Sequence, residues 1–118
     1  MKVAYICSPY RAANATELYR NLAYARELTR QAVDAGFAPI TPHLYLTQCL
    51  DDKNDEERAA GMAVGEELLT LCDVMFVGDK YGISEGMVSE IAEARLQGIK
   101  VTGVSPEIYA RQQKALRL

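Results

Sequence analysis

The 118-residue sequence has little of several features that define common protein classes. No apolar run approaches the length of a membrane-spanning helix, so we expect no association with a membrane. Lysine and arginine form no stripe and the net charge is −3, which argues against binding a nucleic-acid polymer. Neither a G-x-G-x-x-G fingerprint nor a P-loop is present, so dinucleotide redox chemistry and nucleoside triphosphate hydrolysis are disfavoured.

Cysteine and histidine are also scarce. The three cysteines are an odd number in unpatterned positions, and Cys7 and Cys72 lie in apolar surroundings typical of packed thiols. The single histidine, His43, has no metal-ligating residues near it in the sequence, and we expect neither a metal ion nor another cofactor. The first apolar segment is too short for a signal peptide, so we predict a cytoplasmic protein.

The sequence does contain an alternation of short apolar segments and helical patterns. Apolar residues make up 49% of the chain, enough for the core of one small domain spanning residues 1–118. Strand patterns cover residues 2–7, 37–41, 73–78 and 99–103. Helical patterns cover residues 16–35, 55–72 and 85–97, and Ser105 is the predicted cap of a last helix with Pro106 at its first position.

Nearly continuous apolar strands separated by helices predict a parallel sheet covered on both faces. We therefore predict a doubly wound α/β fold of the flavodoxin or Rossmann type, with four to five strands in the order 2-1-3-4. In that order the chain reverses direction between the first and third strands, and ligands bind beyond their carboxyl ends. The loops at that point are residues 8–14 and 79–84.

The most informative stretch is residues 79–94, which follows an apolar strand and begins a helix. Ser84 is its predicted N-cap, and the free backbone N–H groups of such a terminus attract phosphates and other anions. Glu90 follows Gly86 by four residues, so the two share a helix face and the glycine leaves open space above the carboxylate. Glu90 is the candidate catalytic residue, whereas Glu93 is interpreted as a solvated surface residue.

The loop after the first strand supplies further candidates. Ser8, Tyr10 and Arg11 lie in it, and the guanidinium of Arg11 offers a rigid set of donors suited to phosphate. The alternative interpretation of Arg11 is an ordinary surface residue in a turn. Tyr5 lies on the first strand, where a buried hydroxyl needs a partner, and Glu90 would serve as one.

Two other residues are candidates for contacts with a substrate. His43 is either a structural hydrogen-bonding residue or a pocket residue that contacts a base or handles a proton. Asp79 follows the third strand and is a candidate for binding a sugar hydroxyl. Asn14, Tyr45 and Asp73 are weaker candidates.

These patterns resemble a known family. Residues 5–11 (Tyr-Ile-Cys-Ser-Pro-Tyr-Arg), residues 73–77 and the Ser-x-Gly-x-x-x-Glu pattern ending at Glu90 resemble the nucleoside 2-deoxyribosyltransferase superfamily. The similarity is greatest to small bacterial and phage members of unassigned function, and it extends to the 2′-deoxynucleoside 5′-phosphate N-hydrolases. It covers residues 2 to about 104.

The resemblance implies an activity and a role for individual residues. Glu90 matches the nucleophilic glutamate that attacks the anomeric carbon of the sugar, and Tyr5 matches a tyrosine that contacts that carboxylate. Arg11 and Ser84 match residues that bind the 5′-phosphate in the hydrolases. Ser8 is offset by one position from the loop serine of the family.

The resemblance is incomplete in one respect. The family has an aspartate in the helix before the third strand, which assists protonation of the leaving base, whereas residues 64–67 here are Val-Gly-Glu-Glu. Glu66 is the candidate substitute.

Three functions are weighed. The first is cleavage or transfer at the N-glycosidic bond of a nucleoside or nucleoside 5′-monophosphate. The second is binding of a nucleotide or nucleotide-derived ligand without cleavage. A phosphoacceptor receiver domain is disfavoured, because no acidic cluster follows the first strand and no fifth strand carries a lysine. The apolar surface of helix 55–72 predicts a homodimer or higher homo-oligomer through that helix and helix 85–97.

Overall fold

The computed structural model describes residues 1–116 as alternating strands and helices. The strands are β1 (Val3–Cys7), β2 (Ala38–Ile40), β3 (Val74–Val77) and β4 (Lys100–Thr102). The helices are α1 (Ala15–Asp34), α2 (Leu46–Cys49), α3 (Asp55–Leu69), α4 (Glu85–Leu96) and α5 (Pro106–Leu116), and a 3-10 turn spans Pro42–Leu44.

The four strands of this described part form one parallel sheet in the order β2-β1-β3-β4, which confirms the predicted topology. In the register, Tyr5 of β1 pairs with Ile40 on one side and with Met75 on the other. The central pair, β1 and β3, is buried on both faces, and this explains why their residues are almost uniformly apolar. The chain therefore reverses direction between β1 and β3, as predicted.

Side-chain caps begin the helices. The Asn14 side chain accepts a hydrogen bond of 2.9 Å from the Glu17 N–H, so α1 begins one residue earlier than predicted. Ser84 caps α4 through the Met87 N–H, and Ser105 caps α5 through the Ile108 N–H, both as predicted. Gly36, with a φ of 89°, ends the α1 segment in a conformation that suits glycine.

Alternation along the strands divides the core into two clusters, one on each face of the sheet. Ala4, Ile6, Val74 and Phe76 face α1 and α5, where they pack with Tyr24, Leu28, Phe37 and Tyr109. Tyr5, Cys7, Met75 and Val77 face the other way, where they pack with Leu69 before β3 and with Met87 and Ala94 of α4. Tyr5 and α4 therefore lie on the same side of the sheet.

Two segments differ from the predicted boundaries. Helix α3 ends at Leu69 rather than at residue 72, because Thr70, Leu71 and Cys72 bond to carbonyls three residues earlier and tighten the chain into a turn. The loop between β2 and α3 contains the 3-10 turn and α2. Cys7 and Cys72 are buried free thiols, as predicted. Within residues 1–116, no helix combines the length and the apolar character needed to cross a membrane.

Candidate active site

A cavity of about 400 Å³ lies on the face of the sheet that α3 and α4 cover. Its walls are Tyr5 of β1, Tyr10 and Arg11 of the loop that follows, parts of the segment 42–52, one side of α3 and the part of α4 up to Glu93. The volume lies within the range that small-molecule sites occupy. The cavity therefore lies where the strand order reverses, which is the position that the topology predicted for a ligand.

Glu90 and Tyr5 meet in this cavity. Glu90 extends from the second turn of α4, its side chain is 23% exposed, and its Oε2 is buried with no hydrogen-bond partner within residues 1–116. Tyr5 is 3% exposed, and its hydroxyl lies close enough to the carboxyl of Glu90 to lower the pKa of that carboxyl. The two side chains make no hydrogen bond of ordinary geometry, so Oε2 is a buried acceptor without a partner within residues 1–116.

Burial governs the protonation of both groups. It raises the pKa of Glu90 from an ordinary 4.5 to about 7, and the Tyr5 hydroxyl opposes this rise. Burial also raises the pKa of Tyr5, and the neighbouring Glu90 raises it further, so Tyr5 keeps its proton. Cys7, which follows on the same face of β1, has its pKa raised by burial and then by Glu90. Glu90 therefore titrates near neutral pH beside groups that stay protonated.

His43 approaches Glu90 from the 3-10 turn. Its Nε2 lies 3.9 Å from the Oε1 of Glu90, and both side chains are 23% exposed. Tyr10 stacks on the imidazole, with ring centroids 5.3 Å apart and planes inclined by 25°. Burial lowers the pKa of His43, whereas the Ser8 backbone and the charge of Asp52 oppose that change. The structure thus brings the lone histidine to the candidate carboxylate.

Arg11 lines the cavity, but its charge is already engaged. Its Nε donates to the Oδ2 of Asp52 at 3.0 Å, and the Arg11 and Asp52 side chains are 59% and 34% exposed. Asp52 was not among the site residues predicted from the sequence. Binding a phosphate at Arg11 requires the guanidinium to use its remaining N–H groups.

Ser84 and Gly86 lie at the edge of the cavity, at the N-terminus of α4. A Cβ built on Gly86 meets only the Ser84 Oγ, at 4.0 Å, so the space above Glu90 is open as predicted. The Ser84 hydroxyl accepts from the Met87 N–H at 3.3 Å. The carboxylate of Glu85 also lines the cavity within this first turn, so it offsets the attraction of the helix terminus for anions.

Two predicted substrate contacts lie elsewhere. Ser8 is fully buried, its Oγ has no partner within residues 1–116, and the cavity wall does not include it. Asp79 is exposed and also lies outside the wall. The physical reason is that the Lys80 N–H donates to the Tyr24 hydroxyl at 3.2 Å, which draws this loop toward α1 on the opposite face of the sheet.

The weaker candidates have structural roles or stay outside the cavity. Asn14 caps α1, and Asp73 accepts a hydrogen bond of 2.7 Å from the Val3 N–H. Tyr45 is 46% exposed and does not line the cavity. Glu93, which was interpreted as solvated, is half-buried and lines the cavity, as does the exposed Glu66.

The apolar wall of the cavity was not predicted from the sequence. Gly61 and Gly65 of α3 face the cavity, together with Leu46, Leu50 and Met62. A Cβ built on Gly65 lies 3.6 Å from the Tyr5 hydroxyl, and one built on Gly61 lies 3.4 Å from Leu50. The spacing of two glycines by four residues within a helix is a signal that was available.

Within the described residues, no three His, Cys, Asp or Glu side chains gather as a metal site.

Comparisons with known proteins give a family and a fold. The model of the family "Domain of unknown function (DUF7768)" matches residues 2–104, and the chain therefore belongs to that family. No curated protein sequence matches the chain. Among solved structures, a 2-deoxyribosyltransferase from the psychrotolerant bacterium Bacillus psychrosaccharolyticus is similar, with a TM-score of 0.61 and 21% identity. The match covers 84% of this chain and 69% of the other, and it shows a shared fold.

Proposed function

We propose that this DUF7768 protein cleaves the N-glycosidic bond of a nucleoside or nucleoside 5′-monophosphate, passing the sugar to a second base or to water. The observation that carries the proposal is the carboxyl of Glu90, which is largely buried in a cavity with one oxygen unpartnered within residues 1–116. The likeness of the fold to that of a 2-deoxyribosyltransferase supports it.

The proposed reaction uses Glu90 as the nucleophile. Its oxygen forms a bond to the anomeric carbon while the C–N bond breaks, and the electron pair of that bond leaves with the base. The open space at Gly86 receives the sugar, and the Tyr5 hydroxyl lowers the pKa of the carboxyl and so favours the ionised form that attacks. A second base or a water molecule then displaces Glu90 from the anomeric carbon.

The departing base needs a proton, and Glu66 is the proposed donor. It lines the cavity from α3, whereas Glu90 lines it from α4. Two carboxyl groups on different walls are the arrangement that glycoside cleavage uses, one as nucleophile and the other as acid. Glu66 takes the place of the aspartate that the resemblance led us to expect.

The charges of the cavity favour an uncharged nucleoside over its 5′-monophosphate. The wall contains six acidic residues, Asp52, Glu57, Glu66, Glu85, Glu90 and Glu93, against two arginines, Arg11 and Arg58. Arg11 is paired with one of the six, so the field on a phosphate is unfavourable on balance. Arg11 and Ser84 remain the proposed contacts if a phosphate enters.

Release of the free base tests the proposal. The purified protein is incubated with 2′-deoxynucleosides and their 5′-monophosphates, each with and without a second base, and the products are separated by chromatography. We expect base release or exchange, and Glu90→Gln should lower it at least about a thousandfold while ligand binding by thermal shift survives. Glu67→Gln is the matched control, because Glu67 is exposed outside the cavity. Undiminished turnover by Glu90→Gln would refute the role of Glu90.

A second candidate is a module that binds the same ligand without cleaving it. The raised pKa of Glu90 favours this function, because a carboxyl that keeps its proton near neutral pH is no nucleophile. The discriminating result is a nucleoside that raises the melting temperature yet stays chemically intact over hours.

We also propose that two copies of the chain associate through α3 and α4. In α3, which is described in full, only Leu69 is buried, although the helix has 15 residues. Met62 and Val64 of α3 and Val88 of α4 are 52%, 41% and 56% exposed. A second copy covering these side chains would remove apolar surface from water. Gel filtration with light scattering checks this, and a monomer at all concentrations would contradict it.

A further inference from the structure

His43 has an unusual position for the only histidine of the chain. It comes from the segment between β2 and α3, yet its Nε2 lies 3.9 Å from the Oε1 of Glu90, 47 positions later in the sequence. Tyr10 holds one face of the ring by stacking. A side chain fixed in this way, with one nitrogen near a largely buried carboxyl, has the geometry of a proton partner.

We propose that His43 is the proton partner of Glu90: its Nε2 accepts the carboxyl proton across the 3.9 Å gap, so that the carboxylate forms inside the cavity. The O–H bond of the carboxylic acid breaks and an N–H bond forms on the imidazole, so the pair keeps its total charge. The transfer requires a side-chain movement that shortens the 3.9 Å separation to hydrogen-bond distance. The role in catalysis rests on the proposed function, whereas the proton exchange does not.

The neighbours of Glu90 leave the imidazole as the suitable acceptor. From β1, the Tyr5 hydroxyl and the Cys7 thiol both have raised pKa values, so they stay protonated and do not hold the proton of the carboxyl. Arg11 is a permanent cation whose Nε is already bonded to Asp52. Burial lowers the pKa of His43, so its imidazole is favoured in the neutral form, which has a nitrogen lone pair free to accept a proton.

The remaining charges around the pair favour a protonated imidazole. Burial, the largest influence, lowers the pKa of His43, and the hydrogen bond of the Ser8 backbone and the charge of Asp52 partly offset that change. The rest of the cavity wall is predominantly acidic. Its four glutamates are Glu57 and Glu66 of α3 and Glu85 and Glu93 of α4, against the single cation Arg58 of α3. This negative field stabilises an imidazolium and opposes a second carboxylate, so proton transfer to His43 lowers the cost of ionising Glu90.

Nuclear magnetic resonance tests the pair without relying on activity. Because His43 is the only histidine, its ring signals are identified without assignment, and they are followed from pH 4 to 10. In the wild type we expect an imidazole pKa higher by about one unit or more than in Glu90→Gln, because that variant lacks the carboxylate. Glu93→Gln is the matched control and should cause a smaller change. An imidazole pKa unaffected by Glu90→Gln would overturn the proposal.

The pH dependence of base release tests the role of the pair in the reaction. In His43→Gln, Glu90 loses its proton acceptor, so the acid limb of kcat/KM should move up by about one unit. At pH 9, where Glu90 is ionised in either case, the loss of activity in the variant should be at least about tenfold smaller than at pH 6. A uniform loss at every pH would indicate a structural role and overturn the proposal. Absence of base release in the wild type would instead refute the proposed function and leave the resonance test intact.

Discussion

The two faces of the sheet are packed in different ways. On the α1 and α5 face, Phe37, Phe76 and Tyr109 contact one another with centroids 5.1 to 5.9 Å apart, and aromatic rings fill the space. On the α3 and α4 face, Gly61 and Gly65 occupy positions where larger side chains could pack, and a cavity of about 400 Å³ remains. The tightly packed α1 and α5 face therefore contributes more to stability. The α3 and α4 face is less completely packed because it contains the cavity.

The largest effect is expected on the aromatic face. Phe76→Ala removes a ring that is 1% exposed and in contact with Phe37 and Tyr109, so it should cost about 3–5 kcal/mol of unfolding free energy. Met62→Ala on α3, where the side chain is 52% exposed, is the matched control and should cost far less. Urea unfolding of both variants measures the difference, and equal losses would remove the contrast between the faces.

The next effect concerns pH and the cavity face. The pKa of Glu90 is about 7 in the folded chain against an ordinary 4.5, so folding is favoured by the protonated form. The contribution is fully present below pH 4.5 and is lost as the pH rises through 7, a change of roughly 3 kcal/mol. Glu90→Gln does not titrate, so its stability relative to the wild type should rise between pH 4.5 and 8. Parallel stability curves in urea unfolding would contradict this.

A smaller effect distinguishes stability from function at one position. Gly65→Ala should stabilise α3 by about 0.5–1 kcal/mol, because alanine has the higher helix propensity and its Cβ meets the Tyr5 hydroxyl at an ordinary 3.6 Å. The same methyl group enters the cavity and should weaken ligand binding. Thermal unfolding and ligand-induced thermal shift, measured on one sample, give both values. A variant with tighter binding would show that Gly65 does not border the ligand.

The smallest effect is expected at the entrance. Arg11→Ala breaks an ion pair in which Arg11 is 59% exposed, so the unfolding free energy should change by less than about 1 kcal/mol. If a nucleoside 5′-monophosphate binds, its affinity should fall while that of the unphosphorylated nucleoside is retained. Titration calorimetry with the two ligands makes this comparison, and equal changes for both would exclude a phosphate contact at Arg11.

Much of the architecture was predictable because it depends on local rules. The alternation of strands and helices, the caps at Ser84 and Ser105 and the glycine at position 36 follow from patterns spanning a few residues. The strand order follows from the handedness of crossovers, and it placed the loops after β1 and β3 correctly in the topology. It did not predict that Tyr24 holds the loop of Asp79 against α1, because that contact joins residues 56 positions apart.

The sequence by itself determined the elements, their order in the sheet and the face on which Tyr5 lies, because these depend on short-range periodicity and chain chirality. Only the tertiary structure decided that His43 faces Glu90, that Asp52 engages Arg11 and that Gly61 and Gly65 leave a cavity. Those contacts join segments far apart in the chain. The packing of several elements together, rather than any local pattern, determines the distances between such segments and the burial that shifts their pKa values.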